Sequence, residues 1–480
     1  MKRLSSDYTQ NICVIDKALR VNENFDIIKK LVTVGRDELA FYYVDGFIKD
    51  AVMSKLMLSF GSLKGIGKKS ANAAEDFCRE HIGYVETDLS ESVENMVAMV
   101  LSGAALMLGS SFENKAVIID ARTYPVRSIS EPQNDRVMLG ARDGFVESLI
   151  FNTALIRRRI RDASLTMKHF TVGTRSQTDV VLCYIDGLAD SEYVKELSSK
   201  IKSIKTDALA LGHQSMSECL IRTRWYNPFP KIRTTERPDT AAAQLLEGGV
   251  MIIVDNSPEV MMLPTTIFEF MQETNDYYFP PLTGSFLRIV RQAIMWLTVF
   301  LTPVWFLMTK NPEKVPMWLQ FSLPEEAGKI PILAQLLLVE FVIDGLRMAS
   351  MNTPDMLSNS LSVVGGLILG DFAIQIGWLI PEVILYMAFV SIANFSQRNY
   401  QLGYAFKFMR IILLVLVALF GLYGLLFGIV LIGVLIATNK TANGKRSYLY
   451  PLIPFSAKGM LALFFRVKKR DVEEIGRAHV

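Results

Sequence analysis

Charged and apolar positions interleave through residues 1–284 in the proportions of a water-soluble chain, and from Ser285 onward they separate. In the first part, short β-branched runs stand out at Val117–Asp120 (VIID), Val180–Ile185 (VVLCYI) and Val250–Asp255 (VMIIVD), each ending near a turn residue,. Helical periodicity separates them over Gly144–Ala163 and Ser191–Ile204,. Val250–Leu263 predicts a hairpin, with Asp255-Asn256-Ser257-Pro258 as its turn,. Residues 1–85 are polar-rich and predict helix. VIID and VMIIVD both follow charged loops, which raises an internal duplication, although no clean repeat period is visible,. The expectation for residues 1–284 is an α/β region of two small α/β subdomains, followed by an all-α polytopic membrane domain over 285–438 and a basic tail over 439–480.

The apolar part carries the stronger signal. Ala293–Met308 is uncharged, and Ile411–Thr438 is 28 residues without a charge. As one helix the latter would run about 42 Å, against a hydrocarbon core of about 30 Å. Between them lie Ile330–Met348, Leu361–Ile380 and Glu382–Phe395, each apolar with a few polar residues. The tail Asn439–Arg470 holds eight basic residues and no acid, so it is expected on the cytoplasmic side,. The N-terminal region opens without an apolar export signal and is expected on the same side,. An even number of crossings is then required, yet five stretches are counted. A hairpin over Leu361–Phe395, broken at Pro381, or re-entry by Leu452–Phe465 would each restore the parity,.

Composition narrows the function. Mean hydropathy is +0.27 over 480 residues, and the formal charge is only +3 from 51 basic and 48 acidic residues, which does not favour a nucleic-acid partner,. Cys13, Cys78, Cys183 and Cys219 are scattered, with no CxxC pair, so neither a disulfide framework nor a zinc ribbon is expected,. Residues 61–70 (GSLKGIGKKS) miss the phosphate-loop pattern by one position, where Ser62 stands for a glycine,. Four histidines form no metal-ligand spacing, and no GxSxG or strand-borne GxGxxG occurs,. No catalytic residue, metal or cofactor is expected.

The candidate chemistry lies in charges placed inside the apolar part. An ionised carboxylate in a bilayer costs several kcal/mol, so such groups face a bundle interior or water. Glu340, Asp344 and Arg347 share one helix face, with Asp344 and Arg347 spaced to pair,. Asp371 follows the small-residue run containing Gly365, Gly366 and Gly370. Glu340 and Asp371 are therefore the ion-pathway candidates, with the three glycines permitting close helix approach or local unwinding. Gly421, Gly424 and Gly428 suggest a further packing face.

Several motifs in order resemble the A-subunit family of spore germination receptors. They are Thr178-Asp179-Val180-Val181, Asn227-Pro228-Phe229-Pro230, Thr235-Glu236-Arg237-Pro238-Asp239, Leu246-Glu247-Gly248-Gly249, Val254–Pro258, Tyr277-Tyr278 and Leu346-Arg347…Pro354…Gly365-Gly366. The resemblance spans roughly residues 40–465. Met351–Pro354, Gly370–Ala373 and Pro381–Leu385 are most similar to the stage V sporulation AF branch of that family. Nutrient-receptor A subunits tend to carry Gly-Glu where this chain has Gly370-Asp371. The resemblance implies a multi-pass protein of the spore inner membrane acting in germination, with its N-terminal region and tail on the spore-core side. It also implies a homo-oligomeric, by analogy pentameric, ring in the lipid bilayer enclosing a cation path. Implied partners are a small membrane protein for the stage V branch, or a permease-like B subunit and a lipoprotein C subunit for a non-conducting nutrient-receptor A subunit. Pro228, Phe229, Pro230, Glu236, Arg237, Pro238 and Asp239 are expected to be structural. Residues 475–480 match the translation of a common sequencing-adapter string, and no function is placed on His479.

Overall fold

The computed structural model describes residues 3–83, 86–122, 140–221, 224–273, 275–325, 328–352, 373–397, 399–439, 441 and 447–466. It divides into two compact units, one of residues 1–222 and 232–264, the other of 223–231 and 265–469.

The first unit holds two five-stranded antiparallel sheets. Helix α1 (Tyr8–Leu19) precedes a hairpin of β1 (Ile27–Val34) and β2 (Asp37–Val44), then α2 (Asp50–Gly61), α3 (Ala73–His81), β3 (Thr87–Ser90), α4 (Val93–Leu101), β4 (Ala105–Gly109) and β5 (Ala116–Ile119). The second set repeats this order. It runs α5 (Leu149–Arg159), β6 (Leu165–Val172), β7 (Thr178–Ile185), α6 (Ser191–Ser203), α7 (His213–Leu220), β8 (Arg233–Thr235), α8 (Pro238–Leu246), β9 (Val250–Val254) and β10 (Val260–Leu263). The sheets are ordered β1-β2-β4-β5-β3 and β6-β7-β9-β10-β8, the same topology twice. The duplication is therefore one of topology, and β9 answers to β4 rather than to the VIID strand β5.

Strand periodicity explains the layers. Ala40 and Tyr42 of β2 pack against α1 and α4, whereas Leu39 and Phe41 face α2 and α3,. Central strands buried on both faces read as unbroken apolar runs, as in VVLCYI. Edge strand β1 does not, because Lys29 and Lys30 interrupt it,. Residues 1–85, expected to be helical, therefore conceal a strand pattern and contain the β1–β2 hairpin. Arg157 clamps the two halves, donating from Nε and Nη2 to Asp26 at 2.9 and 3.0 Å with both side chains buried.

The second unit is helical. It comprises α9 (Ile267–Met271), α10 (Asn275–Tyr278), α11 (Pro281–Lys310), α12 (Ile332–Asn352), α13 (Pro381–Phe395), α14 (Tyr400–Ala437) and α15 (Ala457–Phe464). Pro281–Lys310 and Tyr400–Ala437 are long and apolar enough to cross a membrane. The second is not one straight span. Gly421 has φ 59°, ψ −131°, breaking the helix. A methyl placed on Gly424 would lie 2.0 Å from Leu416 O, and one on Gly428 would lie 2.4 Å from Leu413 Cδ2. Residues eight and fifteen apart touch only if the chain doubles back, so α14 is a hairpin with arms 400–420 and 422–437. The uncharged stretch Ile411–Thr438, read from sequence as a single helix, thus turns at a glycine whose φ side-chain-bearing residues rarely adopt.

Candidate functional site

Four charged residues of the helical unit gather where three helices meet. Arg410, on the first arm of α14, is 2% exposed. Its Nη2 donates to both carboxylate oxygens of Glu340 on α12 at 2.7 Å, and its Nη1 donates to Thr298 O on α11 at 2.9 Å. Lys407, one turn earlier, lies 3.0 Å from Glu340 Oε1 and also donates to Asp344. Two carboxylates face two cations, so the four-residue network is formally neutral. Buried charge is tolerable on that condition, with both oxygens of the buried Glu340 hydrogen-bonded to Arg410 and Asp344 half-buried beside Lys407,.

The pairing registers are mutually consistent. Glu340 meets Arg410 and Asp344 meets Lys407, as two antiparallel helices require. Lys310 at the end of α11 donates to Val417 O (3.4 Å) and to Ala418 O (2.5 Å), carbonyls left open by the break at Gly421,. At 1.5 Å per residue, Glu340 lies about 12 Å below the start of α12, Arg410 about 16 Å below Gly421, and Thr298 about 18 Å below Lys310. Along all three helices the network therefore lies about 12–18 Å from one helix end, a length comparable to half of a hydrocarbon core of about 30 Å.

Arg347 is elsewhere. Spacing along α12 made it the partner of Asp344, but its guanidinium instead faces the rings of Phe395, Tyr400 and Tyr404 at 5.2, 5.0 and 5.1 Å. Asp344 turns to Lys407, a cation from another helix that local spacing does not reveal. The expected Asp344–Arg347 ion pair is replaced by an interhelical one. Glu340, an ion-pathway candidate from sequence, is buried and held by Arg410 and Lys407. Asp371, Gly365, Gly366 and Gly370 lie outside the described residues. A cavity of about 10 Å³ lies among Glu340, Asp344, Arg347, Asn394, Lys407 and Arg410, room for about one water,. Among the described residues, no group of three or more His, Cys, Asp or Glu side chains is placed to hold a metal ion.

The family model for the Bacillus/Clostridium GerA spore germination protein matches residues 15–475. This chain belongs to that GerA family. It is similar to stage V sporulation protein AF of Bacillus subtilis (strain 168), with 37% identity covering 93% of this chain and 90% of that protein. Spore germination protein KA of the same organism is 27% identical, covering 97% and 85%. The N-terminal domain of the A subunit of the Bacillus megaterium spore germinant receptor GerK3 aligns with TM-score 0.41 at 22% identity, covering 54% of this chain and 96% of that one.

The GerA motif residues separate between the two units. Residues 223–231 fall with the helices, and Phe229 stands edge-on to Phe406 with ring centroids 6.0 Å apart. Asn227 donates to Leu435 O at 3.0 Å, and Tyr448 donates to Pro230 O at 2.7 Å, seating Pro228, Phe229 and Pro230 against both arms of α14. Glu236-Arg237-Pro238-Asp239 stays in the first unit. Pro238 is the first residue of α8, and the buried Arg237 donates to Asp239 at 3.0 and 2.5 Å. Lys407 and Arg410 were passed over in the sequence because they precede the uncharged stretch. Their i,i+3 spacing, matched to the i,i+4 spacing of Glu340 and Asp344, was the available signal.

Proposed function

We propose that this chain acts in the inner membrane of the spore during germination, as a ring of copies whose membrane helices enclose a path for cations. A pentamer is proposed by family analogy, with the N-terminal unit and the tail facing the spore core and a small membrane protein as partner. The observation that carries this reading is the neutral network at mid-depth. It joins α11, α12 and α14 through paired charges, of which Glu340, Lys407 and Arg410 are buried,. A helical frame of this kind holds its shape while a neighbouring element opens. The proposed path lies between copies, at the axis of the ring. With Glu340 and Asp344 engaged, the acid proposed to line that path is Asp371, with Gly365, Gly366 and Gly370 keeping it narrow.

The engagement of both acids also favours a second reading. In it, the chain is a non-conducting A subunit that relays a signal from a permease-like B subunit. Reconstitution separates the two. Purified chain in potassium-loaded vesicles is expected to assemble as a closed oligomer and release potassium. Assembly without release, in vesicles that do release once a channel peptide is added, assigns conduction to another subunit.

A further inference from the structure

Within the helical unit, hydrogen bonds and ring contacts give each helix a direction. Lys310 meets the carbonyls before Gly421, so the end of α11 and the turn of α14 share one end, called here the far end. Gln335 near the start of α12 accepts from Ile380 N at 2.9 Å, and Trp305 lies 4.9 Å from the Tyr386 ring, so α12 and α13 both start at that end. Asn394, near the end of α13, lies against Gly403 at the opposite, near end. The chain thus runs outward along α11, back along α12, back again along α13, outward along 400–420 and back along 422–437.

The far end carries an exposed aromatic rim. In the segment after α11, Val315 and Ser322 are buried and Trp305 Nε1 donates to Ser322 O at 2.8 Å, which fixes the segment's orientation. Its outward face presents Met317, Trp318 (73% exposed) and Phe321. Beside the α14 turn, Phe420 and Tyr423 (82% exposed) point outward as well. At the near end, Arg291 donates to Asp276 Oδ2 at 2.7 Å and to Glu273 Oε2 at 2.6 Å, tying the first turns of α11 to the charged segment that precedes it. Two independent lengths join these levels. From Arg291 to Lys310 is about 29 Å, and from Tyr400 to Phe420 about 30 Å, each the thickness of a hydrocarbon core.

We infer that Met317, Trp318, Phe321, Phe420 and Tyr423 form a collar seated in the lipid headgroup layer at the far face of the bilayer, and that α14 enters and leaves the membrane on the near face. The amphipathic rings of Trp318 and Tyr423 favour that layer, where one edge is apolar and the other wet, and Met317, Phe321 and Phe420 reach its apolar side. The Gly421 turn belongs there too. Its open carbonyls are tolerated where Lys310 and water reach them, and not in hydrocarbon. With the arms of α14 counted separately, Thr438 returns to the side on which α11 begins. The even parity that the basic tail demands then follows from this turn, rather than from a hairpin at Pro381 or re-entry by Leu452–Phe465.

The placement rests on the membrane location proposed above, and the experiment separates the two. Full-length protein with its four cysteines replaced by serine is reconstituted in phosphatidylcholine–phosphatidylglycerol vesicles, and flotation is measured first. Spin labels at Tyr423→Cys and, independently, Phe321→Cys are expected at headgroup depth by oxygen and nickel-chelate accessibility. A membrane-impermeant thiol reagent is expected to reach Tyr400→Cys and Thr438→Cys from one face and Tyr423→Cys from the other. Failure to float overturns the membrane location and the collar together. Flotation with Tyr400→Cys and Thr438→Cys on opposite faces overturns the collar alone, as do collar labels reached by neither oxygen nor nickel chelate, which would mean that protein covers them.

Discussion

Removing Arg410 while keeping its bulk, as in Arg410→Met, isolates the energetics of the mid-depth network. The substitution deletes two charge-assisted hydrogen bonds to Glu340 and one hydrogen bond to Thr298 O. It leaves a carboxylate that is 6% exposed with Lys407 as its remaining cation, and Lys407 is shared with Asp344. Breaking a buried pair costs about 3–5 kcal/mol. Lys407 offsets part of that, so the expected loss is near the lower bound, about 3 kcal/mol, or roughly a 150-fold rise in the unfolded fraction at about 1.4 kcal/mol per decade. Glu340→Gln alone is expected to cost less, because an amide oxygen still accepts from Arg410. In the double variant no charge of the pair is stranded, and it should recover about 2 kcal/mol relative to the sum of the singles. The assay is denaturant titration of each full-length variant in lipid nanodiscs, with membrane abundance measured alongside. Additive losses, or an Arg410→Met protein within about 0.5 kcal/mol of the parent, would refute the reasoning.

The same cycle applied to Asp344 distinguishes its partners: coupling of at least about 1 kcal/mol is expected between Asp344→Asn and Lys407→Met, and none between Asp344→Asn and Arg347→Met. Gly424→Ala should sharply lower membrane abundance, because its methyl would lie 2.0 Å from Leu416 O, whereas Gly433→Ala meets nothing within 4 Å and should be neutral or gain up to about 1 kcal/mol in helix propensity,. Burial pushes the Cys78 thiol up to about 11 and the Cys183 thiol higher still, so maleimide at neutral pH should mark the exposed Cys13 and Cys219 in the native protein. Mass spectrometry should find all four thiols modified only after unfolding, and native labelling at Cys183 would contradict its burial.

Much of the first unit was legible because its signals are local. The Val250–Leu263 hairpin appears as β9 and β10, with Met261 opposite Ile252, and Asn256 takes the positive φ that its turn position needs. The helix expected over Ser191–Ile204 forms at Ser191–Ser203, with Asp190 accepting from Glu192 N and Tyr193 N as its cap. What escaped notice depends on tertiary partners or on single torsions. Lys29 made β1 look unlike a strand, yet its ammonium meets Asp16 of α1 at 2.7 Å. Hydropathy could not register the turn at Gly421, since a glycine in αR and one with reversed φ weigh the same. Nor does composition mark 223–231 as belonging to the helices. Its tie is Phe229 against Phe406, far away in sequence. In the site, charge type was readable and partner choice was not, because interhelical register decides which cation Asp344 meets.

The cation path through a ring of copies is tested most directly at Asp371. Asparagine keeps the side chain's size and removes its charge. Spores carrying Asp371→Asn in place of the parent residue should hold the protein at normal membrane abundance and oligomeric size while releasing cations more slowly on germination. Cation release at the parent rate, from spores holding that variant at normal abundance, would contradict a path lined by this acid.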